Sequence, residues 1–81
     1  MSLEREAMRG RLVTAKQKQQ RCRYSIEANA EAIRTKLNTA LTCPDDLEIP
    51  LIDELWDQLK SSWAELELAG SDIKRLEREL Q

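Results

Sequence analysis

Histidine is absent from this 81-residue chain, and glycine, proline and cysteine occur only twice each. Without histidine the commonest general base and metal ligand is missing. Cys22 and Cys43 are 21 positions apart. Taken as parts of one helix they stand about 30 Å apart, beyond the reach of a disulfide. They are expected to be small buried or half-buried thiols, with pairing between chains as the other use open to them. Aromatic side chains number three, Tyr24, Trp56 and Trp63. No apolar run is long enough to cross a membrane and no signal peptide is evident, so a soluble, cytoplasmic protein without a membrane partner is expected.

Groups that could carry chemistry are equally scarce. Asp45 with Asp46 and Asp53 with Asp57 are carboxylate pairs, but the first belongs to a turn and the second to an exposed helix face. Helix capping and solubility account for both pairs. Asp45 and Glu48 have the spacing of a capping box, again a structural device. Ser61 and Ser62 have no base beside them. An enzyme is therefore not expected, and neither a metal nor a cofactor is implied.

What the chain has in quantity is helical periodicity. Ile52, Leu59, Leu66, Ile73 and Leu80 follow one another at intervals of seven. Such a column winds an apolar seam around a helix that a second helix must cover. Residues 3–41 contain no proline and are rich in Ala, Arg, Lys, Gln and Glu, which predicts a first helix over 3–41 with Ser2 as its cap. Its apolar positions, among them Met8, Leu12, Ala15, Cys22, Ile26, Ile33 and Leu37, recur three and four apart, although Gln19 interrupts them. Gly10 is a potential weak point in its first turns.

Pro44 and Pro50 bracket the one clear break, so the loop is placed at 42–49 and the second helix at 50–80. Asp53 and Glu54 are assigned to the first turn of that helix, where they complement its dipole. Gly70-Ser71 could interrupt it, but Leu66 and Ile73 stay in phase across the pair, which favours one continuous helix. The fold class is therefore all-α, and 1–81 reads as a single antiparallel two-helix hairpin of coiled-coil type.

Charge is unevenly distributed although its sum is only −2. Arg5, Arg9, Arg11, Lys16, Lys18, Arg21 and Arg23 crowd the first helix, whereas 45–81 carries eleven carboxylates against four basic residues. A basic helix folded on an acidic one follows from this pattern. Arg9, Lys16 and Arg23 recur at sevens, as do Glu65, Asp72 and Glu79. Folding about residue 47 or 48 brings Lys16 toward Glu79 and Arg23 toward Asp72.

The apolar surface of the second helix is wider than one neighbour needs. Leu55, Ala69 and Leu76 flank the main column on one side, Trp56 and Trp63 on the other. Breadth of this kind is found in multi-helix bundles, and Trp is enriched at interface centres. The expectation is a homodimer completing a four-helix bundle, with a heterologous protein partner as the further possibility. The function class is thus an interaction module that self-associates and binds protein by helix packing. The alternative is a nucleic-acid-binding, RNA-binding regulatory hairpin contacting anions through Arg9, Lys16 and Arg23. Nucleic acid is the less favoured partner, because the basic residues are spread around the helix and Tyr24 is the only aromatic near them.

Overall fold

The computed structural model describes residues 3–81, and Ser2, the expected helix cap, lies outside them. Leu3–Lys36 forms α1 and Ile49–Leu80 forms α2, helices of 34 and 32 residues with no strand among the described residues. They pack against one another over their length in an antiparallel hairpin some 64 Å long and 16 × 15 Å across. Neither helix is long and apolar enough to cross a membrane. Gly10 and Gly70 lie inside continuous helix, and no described residue has a positive φ. The phase agreement of Leu66 with Ile73 therefore carries α2 through Gly70-Ser71.

α1 ends at Lys36, five residues before the expected limit. The cause is Asn38. Its Oδ1 accepts a hydrogen bond from the Ala40 N–H at 3.0 Å, and its own carbonyl accepts from the N–H groups of Leu41 and Thr42. An asparagine that bonds the backbone two residues on offers the chain a turn in place of another helical turn, and the β-branched Thr39 and Thr42 do little to oppose it. Leu37 and Leu41 keep helical spacing in the sequence but are left exposed.

Cys43 is extended, as a residue before proline should be, and Pro44–Asp46 forms one 3₁₀ turn. α2 opens at Ile49 with Glu48 as N-cap and Pro50 in the first turn; no carboxylate lies in that turn, and Glu48 makes no side-chain capping bond. Asp53 and Glu54 thus fall one turn later than expected, and Asp45 belongs to the 3₁₀ turn instead of a capping box. The Glu48 carboxylate reaches the Lys36 ammonium at 3.3 Å and ties the end of α1 to the start of α2. At the far end the Arg5 guanidinium donates to the Leu80 carbonyl at 2.7 Å, satisfying a terminal acceptor of α2.

The longer connection moves the pivot. Ser25 and Ser62 hydroxyls are 2.9 Å apart, and the Cys22 thiol lies 3.9 Å from a Glu65 carboxylate oxygen. Both pairs are centred in sequence between Cys43 and Pro44, four residues ahead of the expected fold point. In this register two seams face each other with alternating steps of three and four. On α1 they are Met8, Leu12, Ala15, Gln19, Cys22, Ile26, Asn29, Ile33 and Lys36; on α2, Ile52, Leu55, Leu59, Ser62, Leu66, Ala69, Ile73, Leu76 and Leu80. Every one of these eighteen positions is buried or half-buried. Cys22, Ala69, Ile73 and Leu76 are the most enclosed. Leu55, Ala69 and Leu76, expected to face a partner, therefore occupy the second column of the hairpin's own core. An antiparallel pair uses both columns of the heptad, a and d, not a single seven-residue file.

Candidate interaction surface

Side chains that flank the two seams form two long edges, one on each side of the hairpin. In antiparallel helices the e positions of one face the e positions of the other, and the g positions likewise. The e edge carries Arg9, Lys16, Arg23, Ala30 and Leu37 from α1 and Ile49, Trp56, Trp63, Gly70 and Glu77 from α2. The Lys16–Glu77 ion pair, 3.7 Å long, crosses this edge, and a shallow groove on it is bounded by Arg23, Leu66 and Gly70. The opposite edge carries Lys18, Ser25, Glu65 and Asp72, which line two further grooves.

The two charge columns of the sequence thus fall on opposite edges. Lys16 meets Glu77, not Glu79. Asp72 pairs with Arg75 of its own helix at 3.6 Å and borders the groove of Lys18, not that of Arg23. The shifted pivot is one reason. The other is that a column on the e side of one helix cannot reach a column on the g side of the other. Among the described residues no ion pair is found for Arg9 or Arg23. These two guanidinium groups stay solvated on the half of the e edge distant from the loop.

The loop half of the e edge is apolar. Trp56 and Trp63 are 49% and 56% exposed, Ile49 and Leu37 similarly so, and Ala30 is exposed beside them. Five apolar side chains on one edge, two of them indoles, form a continuous strip of the kind seldom left to solvent. Of the interface residues read from the sequence, Trp56 and Trp63 lie on this strip; Ala69 and Leu76 are 3% exposed within the hairpin, and Leu55 is half-buried there. Leu37 and Ile49 join the strip although the sequence did not single them out for it. Ile49 stands seven before Trp56, a signal that was available; Leu37 was hidden by its assignment to the helix-one seam.

The total area reflects the elongated shape. A monomer of 9.4 kDa is expected to expose about 5,000 Å², whereas this chain exposes 6334 Å². Two rods side by side have a large surface for their mass. No group of three or more metal-ligating side chains comes together among the described residues. No family model, curated protein or solved structure matches this chain.

Proposed function

We propose that this chain is a helical-hairpin interaction module, which self-associates through the apolar strip of its e edge into a four-helix bundle and binds a protein partner by helix packing, without catalytic chemistry of its own. The observation that carries this reading is the pair of half-exposed indoles, Trp56 and Trp63, aligned with Ile49 and Leu37 on one edge of the hairpin. An edge that only had to meet water would be served by the charged residues found elsewhere on these helices. Covering the strip removes indole surface from water, and Trp is among the residues that contribute most to association when enclosed.

Light scattering behind a sizing column tests the reading. Twice the chain mass is expected at micromolar concentration, and Trp63→Glu should return the protein to the monomer with its helix content retained. A monodisperse monomer, with both indoles open to a soluble quencher, would count against self-association.

The second reading, an RNA- or DNA-binding hairpin, draws support from the solvated Arg9 and Arg23. It is weakened by Lys16, whose charge is already engaged with Glu77.

A further inference from the structure

Gly70 occupies the e column of α2 one heptad beyond Trp63. The helix runs through it without a break or a positive φ, and a Cβ added there would meet nothing within 4 Å. Glycine inside a helix is destabilising relative to alanine. Nothing within the hairpin therefore calls for glycine at this position. Its lack of a side chain opens a notch in the e edge, walled by Arg23 on one side and by Leu66 and Glu67 on the other.

We propose that this notch is the socket for Trp63 of a second copy of the chain, the two hairpins lying head to tail about a two-fold axis between the levels of Trp63 and Gly70. The inference rests on the self-association proposed above and specifies its geometry. Trp63 and Gly70 share one column, so an axis midway between them seats each indole in the other copy's notch at once, and the contact closes on itself as an isologous dimer must. The guanidinium of Arg23, without an ion-pair partner among the described residues, then lies within reach of the seated indole and supplies a cation for its face. Trp56 arrives at the level of the other copy's Lys16–Glu77 pair.

Charge selects the same orientation. On the e edge and the positions bordering it, the loop half carries Glu27, Glu31, Asp53 and Asp57 against Arg34 and Lys60. The far half carries five basic residues against three carboxylates. Head-to-tail packing lays the acidic half of each copy on the basic half of the other. A tip-to-tip dimer would set like on like.

Two measurements on the full chain test this. Sedimentation equilibrium should give a dimer whose dissociation constant rises about ten-fold or more with Gly70→Leu, which fills the notch, and with Arg23→Glu. Gly10→Leu, at an equally open glycine that lines the groove of Lys18 and Asp72 and not the notch, should leave it unchanged, with circular dichroism confirming that all three variants stay helical. Nitroxides attached to exposed Cys43, Cys22 being buried, should lie roughly 60 Å apart head to tail, from the helical rise over the distance to the axis, against about 25 Å or less tip to tip. A dimer indifferent to Gly70→Leu, or a short nitroxide distance, overturns the socket while leaving self-association intact. An unaltered chain that stays monomeric overturns self-association and the socket together.

Discussion

Ser25 and Ser62 share a hydrogen bond of 2.9 Å across the middle of the hairpin. Both hydroxyls are partly buried, so each depends on the other for satisfaction. A polar contact of this kind adds little net stability, yet it penalises any alignment that separates its members.

That dependence is measurable. Ser25→Ala or Ser62→Ala alone should cost about 1 kcal/mol, because one hydroxyl is left without its partner. Replacing both should cost clearly less than the two single losses together. Urea titrations of the three variants give the cycle, and strict additivity would mean that the two serines do not meet.

The core is concentrated toward the end remote from the loop, where Ala69, Ile73 and Leu76 are the buried residues of α2. Leu76→Ala should accordingly lower stability by about 2 to 4 kcal/mol, enough to unfold much of so small a domain. Leu68→Ala, at an exposed leucine of the same helix, should change it by less than about 0.5 kcal/mol. Thermal melts of the two variants side by side decide the point.

An ion pair that crosses the e edge links Lys16 to Glu77. Lys16→Glu should destabilise slightly and Glu77→Lys should recover part of the loss. A coupling of about 0.5 kcal/mol is expected, shrinking as salt is raised. The same exchange at Arg23 and Asp72 should be additive, since these residues border different grooves.

Thiol chemistry separates loop from core. Cys43 is exposed and Cys22 is buried between the helices. A thiol reagent should modify Cys43 at once in the native protein and reach Cys22 only as fast as the hairpin opens. Mass spectrometry of a time course should find a single adduct long before the double one.

Nucleic-acid binding offers the remaining test. With Lys16 already paired, the chain should hold RNA or DNA no better than a weak polycation, and binding should disappear near physiological salt. A sub-micromolar complex with a structured RNA under those conditions, lost when Arg9, Lys16 and Arg23 are changed to glutamine, would favour the alternative function.

By itself the sequence determined the all-α hairpin, the continuity of α2 through Gly70, and the seven-residue column from Ile52 to Leu80. These follow from helix propensity, two prolines and a heptad repeat, all of which are local and readable along one chain. The end of α1 was lost because it turns on one side-chain bond, Asn38 to the Ala40 N–H, which competes with a helix that composition favours. From that end followed the pivot, and from the pivot the facing of every residue. Only the tertiary structure could decide that Leu55, Ala69 and Leu76 belong to the core and that Trp56 and Trp63 do not. Which side of an apolar stripe is used depends on where the second helix lies, and a shift of one turn moves each charge and each indole to a different neighbour.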